Sequence, residues 1–290
     1  MNIELEPKVI INEANFIGEG ILWHSDHECL YWTDIPNSKI FKYTPSTRIT
    51  STWDTESSVG GFTIHEDGRL LLFMDEGAIK LWMDGNSETV IESIKGMEGN
   101  RFNDVIADPN GRVFCGVMST SKRKGWVYRL DPDKSLRKVI YNTGTANGMG
   151  FSKNEEKLFF SDSKKSNVSI FDYEKETGKI SNRKIIFQTL RSKYGSPDGL
   201  CLDTNDNLWI GLWDGAGIIQ IDQKGALMQK IKFPTKKITT LCFGGTDLND
   251  IYINSAGADN IDLNGKLAGA LFNINIGVRG KNEYRSRLEL

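Results

Sequence analysis

The sequence has little of what marks membrane, secreted or nucleic-acid-binding proteins. No apolar run approaches the roughly 18 residues that a membrane-spanning helix needs. The opening segment, Met-Asn-Ile-Glu-Leu-Glu-Pro-Lys, lacks the apolar core of a signal peptide. A formal net charge of −2 offers no positive excess for nucleic acid or an anionic membrane. We therefore expect a cytosolic (cytoplasmic) protein with neither partner, and the sequence leaves its oligomeric state open.

Cysteine and histidine are also scarce. No two of the four cysteines stand in a C-x-x-C pair, so buried free thiols are expected rather than disulfides or a zinc site. Two of the three histidines, His24 and His27, lie in a predicted turn without the H-E-x-x-H framework of a zinc enzyme, which favours a solvated turn. The chain also lacks a G-x-S-x-G elbow, a phosphate-binding loop and a dinucleotide-binding fingerprint.

What the chain does have is an internal repeat. Six stretches share an apolar residue, a short turn rich in Asp, Asn or Gly, and an alternating apolar run. They are anchored on Leu22, Phe62, Val105, Met149, Leu200 and Leu241, with steps of 40, 43, 44, 51 and 41 residues. A period of about 40–50 residues built from strand-like units is typical of a β-propeller.

The strand pattern supports the same architecture. One short segment of each unit is rich in aromatic and β-branched residues and bounded by turn residues, as in Leu30–Trp32 and Ile251–Ile253. No useful stretch has helical periodicity, so the chain is predicted to be all-β, a single six-bladed β-propeller over residues 1–290. Residues 1–16 are expected to close the last blade with a strand, and the polar segment 280–290 to form a flexible tail.

Four polar residues occupy one point of the repeat. Asn103, Asn147 and Asp198 stand two positions before their anchors, and Glu19 stands three before Leu22. Equivalent positions of successive blades surround the central channel of a propeller, so these oxygen-bearing side chains should converge there. The pattern predicts a metal site in the channel, although any one Asn-Gly or Asp-Gly taken alone is usually a turn.

Several motifs, in order and in register with the repeat, resemble the regucalcin/gluconolactonase family between about Gly18 and Ser255. They are Gly18-Glu19-Gly20-x-x-Trp23, Asn100-Arg101-Phe102-Asn103-Asp104, Asn147-Gly148, Ser196-Pro197-Asp198-Gly199-Leu200 and Cys242-Phe243-Gly244-Gly245. The resemblance implies a six-bladed propeller that hydrolyses a sugar lactone with one divalent cation. It makes Glu19, Asn147 and Asp198 the metal ligands, and Arg101 and Asn103 the substrate-binding residues.

The chemistry of this set agrees with the resemblance. Two carboxylates and an amide oxygen are hard donors that offset a divalent charge, and Ca²⁺, Mg²⁺, Mn²⁺, Zn²⁺ and Fe²⁺ remain candidates. Three protein ligands leave coordination positions for water and substrate. Asp198 is the predicted catalytic residue, acting as general base. Another ester or phosphotriester hydrolase, and a calcium-binding propeller without activity, remain alternatives, and Arg101 has the commoner alternative of a surface ion pair with Asp104.

One departure from the family pattern bears on the substrate. Many family members carry an acidic residue shortly after the segment equivalent to Gly116-Val117-Met118, whereas this chain continues with a basic cluster, Lys122-Arg123-Lys124. An exposed hairpin loop is the favoured interpretation. If the loop reaches the pocket, substrates with an extra negative charge become plausible.

Overall fold

The computed structural model describes residues 6–258 and 260–289. The last blade begins with its inner strand near residue 238 and is completed by a strand from the N-terminus, β1 (Lys8–Ile11). The strands are given from inner to outer, and those of the first blade are β2 (Gly18–His24), β3 (Cys29–Asp34), β4 (Lys39–Thr44) and β5 (Ile49–Asp54). The second blade consists of β6 (Val59–Ile64), β7 (Leu70–Met74), β8 (Ile79–Met83) and β9 (Asn86–Ile91). The third blade consists of β10 (Phe102–Ala107), β11 (Val113–Val117), β12 (Gly125–Leu130) and β13 (Leu136–Thr143).

The other three blades follow the same order. Their strands are β14 (Ala146–Phe151), β15 (Lys157–Asp162), β16 (Asn167–Glu174) and β17 (Lys179–Gln188); β18 (Ser196–Leu202), β19 (Leu208–Trp213), β20 (Gly217–Ile221) and β21 (Leu227–Lys232); and β22 (Ile238–Gly244), β23 (Asp250–Ser255), β24 (Leu271–Asn275) and β1. Two single-turn helices, α1 (Arg191–Tyr194) and α2 (Ile261–Asn264), lie in the connections. No helix in the described ranges is long and apolar enough to cross a membrane.

These six antiparallel sheets confirm the predicted all-β, six-bladed propeller. Each inner strand packs beside the inner strands of its two neighbours, including β2 beside β22, so the ring is closed around a channel. All six anchor residues of the repeat fall on inner strands. The predicted aromatic segments are the second strands, and Trp32 and Trp209 within them are fully buried between blades. The four cysteines are free and buried, as expected.

The ring is closed by chain segments that are distant in sequence. β1 pairs antiparallel with β24, with Lys8 opposite Asn273 and Val9 opposite Phe272. This pairing covers the edge that β24 would otherwise expose. The first five residues of the segment assigned to closure lie outside the described residues.

Gly280–Glu289, which we call the C-terminal strap, is docked on the propeller in the structure, in contrast to the flexible tail expected from its sequence. It runs across one end of the channel, with Ser286 and Leu288 buried. Its backbone hydrogen-bonds to residues of three blades, through the pairs Gly280 N to Leu248 O, Ser286 N to Ile64 O, Arg287 N to Gly111 O and Glu289 N to Pro132 O. Its side chains add Arg285 to Asp26 (2.6 Å) and Tyr284 to Glu155 (2.9 Å). The segment looks like a tail because its composition is polar. In the structure every second side chain, at Tyr284, Ser286 and Leu288, faces the propeller. Leu290 lies outside the described residues.

The expected solvated turn at His24 is incorrect. His24 ends β2 and is fully buried, with Nε2 2.9 Å from Gly68 O. Its ring stacks on His27 at 3.9 Å between centroids, and His27 itself is exposed. Within residues 6–258 and 260–289, no three His, Cys, Asp or Glu side chains come together as potential metal ligands.

Candidate metal centre

Each inner strand carries a register shift just before its anchor residue. In the first blade it lies between Glu19 and Leu22, and in the other five it ends at Gly61, Val105, Met149, Leu200 and Leu241. A β-bulge adds a residue to one strand and re-aims the neighbouring side chains. The four polar residues all lie at these bulges: Glu19, Asn103, Asn147 and Asp198. The extra residue between Glu19 and its anchor Leu22 therefore falls within a bulge of the kind that every inner strand has.

Glycines let the bulged strands come close together. A Cβ on Gly148 would lie 2.3 Å from Leu200 N, and one on Gly199 would lie 2.6 Å from Thr240 Cγ2. Real Cβ atoms do not approach other atoms so closely, so larger residues would push β14 away from β18 and β18 away from β22. The glycines that follow Asn147 and Asp198 thereby allow these two side chains to meet.

The structure brings all five predicted residues to one cavity of about 430 Å³ at the channel end opposite the strap. A hydrogen-bonded chain connects four of them. Arg101 Nη1 donates to Asn103 Oδ1 at 2.8 Å, Asn103 Nδ2 donates to Asn147 Oδ1, and Asn147 Nδ2 donates to Asp198 Oδ1. Glu19 lines the same cavity and is buried.

The alternative fate of Arg101 is not observed. None of the ion pairs among the described residues joins Arg101 to Asp104. Burial lowers the pKa of Arg101, and the carboxylates of Glu19, Asp75 and Asp104 oppose that shift. Its guanidinium is held by Asn103 Oδ1 and by Phe102 O, both at 2.8 Å. Arg101 is therefore directed by its neighbours into the cavity wall rather than spread over the surface.

The pKa values of the carboxyl groups in and next to the cavity are raised. Burial raises the pKa of Glu19 well above its usual value, and repulsion from Asp198 and Asp104 adds to the shift. Burial and the charge of Asp104 likewise raise the pKa of Asp198, against hydrogen bonds from Asn147 and Ser163. Asp104 faces the channel, where burial raises its pKa to about 7 and Glu283 of the strap contributes. Such a group of acids needs protons or a cation to relieve its charge.

These residues fit a divalent cation. None of the ion pairs in the described part of the chain includes Glu19 or Asp198, so no Lys or Arg neutralises them by direct contact. Two carboxylates with an amide make a hard oxygen donor set of charge −2. The third donor would be Asn147 Oδ1. Rotation of the Asn147 amide exchanges its oxygen and nitrogen atoms, and would turn the oxygen toward the carboxylates.

Other lining residues were missed from the sequence. Ser163 Oγ donates to Pro197 O at 2.6 Å and accepts from Asn147 Nδ2 at 2.6 Å, so it contacts both the amide of Asn147 and the backbone next to Asp198. Ser163, Lys164 and Trp213 stand at or just after the ends of second strands, as do Ile35 and Met118 of the lining. The shared position after the second strand was the signal that could have found them. Arg191, at the start of α1, had no such signal.

The basic cluster takes the favoured position, an exposed loop. Lys122, Arg123 and Lys124 are exposed and do not line the cavity. Arg123 instead donates to Gly96 O at 2.7 Å and to Glu98 O at 3.0 Å, which ties the loop to the preceding blade.

Comparisons with known proteins agree with this arrangement. Residues 17–257 match the model of the SMP-30/Gluconolactonase/LRE-like region. Pentonolactonase XacC of Haloferax volcanii is 35% identical over 97% of this chain and 98% of its own. Regucalcin of Xenopus laevis is 31% identical over 95% and 96%. A solved luciferin-regenerating enzyme is 27% identical, with a TM-score of 0.90 over 98% of this chain and 100% of that chain. With its six blades and its match over nearly the whole propeller, this chain belongs to the SMP-30/gluconolactonase/LRE-like family.

Proposed function

We propose that this protein hydrolyses sugar lactones with the help of one divalent cation held by Glu19, Asn147 and Asp198. The observation that carries the proposal is the meeting of these three oxygen donors with Arg101 and Asn103 in one cavity. Membership of a family that includes a pentonolactonase supports the substrate class. The hard donors fit Ca²⁺, Mg²⁺ and Mn²⁺ best, with Zn²⁺ and Fe²⁺ as further candidates.

The chemistry is the addition of water to an ester carbonyl within a ring. When bound, the cation polarises the lactone carbonyl as a Lewis acid. Asp198 accepts the proton of the attacking water as general base. The bond between the carbonyl carbon and the ring oxygen then breaks, the ring oxygen takes up a proton, and the hydroxy acid leaves.

Arg101 and Asn103 bind the sugar in this mechanism. The guanidinium has several donors in a planar fork, which suits sugar hydroxyls or the developing negative charge. Asn103 is fixed from two sides, because it accepts from Arg101 at 2.8 Å and donates to Ala146 O at 2.8 Å. A side chain held this way orients the ring without first having to be ordered.

The test is a panel of neutral aldono-1,4- and 1,5-lactones, assayed by proton release after chelation and resupply of single cations. Turnover above the spontaneous rate with at least one cation is the expected result. Turnover of only aryl esters or phosphotriesters would replace the substrate class while keeping the site. Rates equal to the background for every compound and cation would refute hydrolysis and leave a binding propeller.

Ser163→Ala is expected to weaken cation binding without unfolding the protein. The substitution removes the hydroxyl that bonds Asn147 and Pro197, and loss of such supporting bonds typically lowers metal affinity by about 10–100-fold. Titration of chelated protein with Ca²⁺ or Mn²⁺ in a calorimeter measures the change. Ser121→Ala, at an exposed serine of the basic loop, is the matched control. Equal affinities in the two variants would contradict the supporting role of Ser163.

A further inference from the structure

Two basic side chains stand together at the mouth of the cavity without acidic partners. Lys164 follows Ser163 in the loop between β15 and β16, and Arg191 begins α1. Both line the cavity that holds Glu19 and Asp198, and both are exposed. None of the ion pairs within residues 6–258 and 260–289 includes either of them, whereas Lys157, Lys165 and Lys175 of the same blade all have acidic partners.

Hydrogen bonds hold the segments that carry Lys164 and Arg191 beside the proposed metal-binding residues. Ser163 Oγ donates to Pro197 O at 2.6 Å, so Lys164 stands one residue from this bond and Asp198 one residue from it on the other side. Arg191 Nε donates to the buried Ser196 Oγ at 2.8 Å, which anchors the side chain through one nitrogen. Lys164 Nζ donates to Ser119 Oγ at 3.4 Å. The terminal nitrogens of Arg191 and two protons of Lys164 remain for a ligand.

The charges of the cavity do not balance. Its lining holds three basic side chains (Arg101, Lys164, Arg191) and two acidic ones (Glu19, Asp198), which gives 3 − 2 = +1. A divalent cation raises the sum to +3. A neutral lactone leaves this surplus uncompensated, whereas an anion offsets it, and a cleft of one sign concentrates ligands of the other.

The charged side chains around the mouth of the cavity are distributed asymmetrically, which favours one orientation of a charged substrate. The adjoining groove on the side of the second and third blades is lined by three acidic side chains, Asp75, Glu76 and Glu92, and by one basic side chain, Arg101. Lys164 lies in the fourth blade, with Nζ donating to Ser119 of the third, and Arg191 lies between the fourth and fifth blades. A negative group on the substrate is therefore attracted to one wall and repelled from the other. A cavity of about 430 Å³ is within the usual range for a small ligand, so it has space for a sugar ring with such a group.

We propose that the preferred substrates are sugar lactones bearing an anionic substituent, a carboxylate or a phosphate, which Lys164 and Arg191 bind while Arg101 and Asn103 hold the ring. The inference rests on the proposed function and narrows its substrate class. Carboxylate and phosphate share the same recognition by a guanidinium fork and an ammonium group, so the experiment includes both.

The test compares glucono-1,5-lactone, 6-phosphoglucono-1,5-lactone and glucaro-1,4-lactone as substrates of the cation-loaded protein. Binding of gluconate, 6-phosphogluconate and glucarate, measured by calorimetry on the same protein, provides a readout that is independent of turnover. We expect kcat/KM to be at least tenfold higher for one of the anionic lactones than for the neutral one. A preference for the phosphate identifies a phosphosugar as the source, and one for glucarolactone identifies a dicarboxylic sugar.

Variants then assign the preference to these residues. Lys164→Ala with Arg191→Ala should lower kcat/KM at least tenfold more for the anionic substrate than for the neutral lactone, mainly through KM. Lys164→Glu with Arg191→Glu should reverse the preference. Lys224→Glu, an exposed lysine of the distant β20–β21 hairpin with no acidic partner among the described residues, is the control. At 0.5 M NaCl the preference should shrink, because salt screens exposed charges.

The outcomes separate this inference from the function it refines. Cation-dependent turnover of neutral lactones, with no gain for either anion in rate or binding, would overturn the inference and leave lactone hydrolysis intact. Failure to hydrolyse any lactone would overturn the proposed function itself. An anionic preference that persists in the double charge reversal would also contradict the assignment to Lys164 and Arg191.

Discussion

The Asp198→Asn variant is expected to lose lactone turnover by at least about 10³-fold while keeping its fold. The substitution preserves the shape of the side chain but removes a negative ligand and the proposed general base, and a base alone commonly contributes about 10²–10⁴-fold. Burial and neighbouring charge already raise the pKa of this carboxyl. The metal-free variant should therefore be as stable as the parent or more stable, because an uncompensated buried charge is costly.

Two measurements distinguish this result from simple unfolding. Thermal melts with and without cation should show an upward shift of Tm for the parent and none for D198N, since a ligand stabilises only the state that binds it. Asp54→Asn, at a side chain that is 83% exposed, is the control and should behave like the parent. A D198N protein that keeps both its turnover and its cation-induced shift would refute the assignment of Asp198.

Leu288→Ala in the C-terminal strap is expected to cost about 2–5 kcal/mol of unfolding free energy, as for other buried leucines. Leu288 is 4% exposed and packs against the core of the second and third blades. For a chain of this size the loss corresponds to a Tm lower by roughly 4–10 °C. Urea titration and calorimetry measure this loss. If the strap unfolds together with the ring, the midpoint urea concentration should fall, and the slope of the unfolding free energy against urea concentration should stay unchanged.

Leu263→Ala is the matched control for this change. It deletes the same atoms from a leucine that is 69% exposed in α2, and its effect should stay within about 0.5 kcal/mol. A Leu288 variant as stable as this control would mean that the strap is not docked in solution. In that event the original expectation of a flexible tail would be correct after all.

The fold could be predicted from the sequence because its signals are local and repeated. Short aromatic strands, turn residues between them and a steady period each point to the same architecture, and repetition multiplies weak evidence. The convergence of Asn103, Asn147 and Asp198 followed from the same periodicity, since equivalent positions of successive blades face one channel. The chemical roles of these residues remain predictions.

Other features depend on contacts that periodicity does not reveal. The strap has no repeat and its composition is polar, so its docking rests on backbone pairs with distant residues such as Ile64 and Gly111. The burial of His24 arises where the adjacent turn stacks His27 upon it. Arg191 reaches the cavity only because α1 lies immediately before β18. The first case requires knowledge of which distant segments become neighbours, and the other two require knowledge of how a turn and a short helix pack on the blade beside them.

The pairing of β1 with β24 has a consequence for how the molecule is made. β1 is synthesised before the first five blades, whereas its partner strand β24 is synthesised after them. The nascent chain can build the first five blades in order, while β1 waits unpaired and the final blade stays incomplete. Docking of the strap on residues of the assembled ring comes later still. We therefore expect full stability only once β24 and the strap have been synthesised, and intermediates stalled before residue 271 should be protease-sensitive.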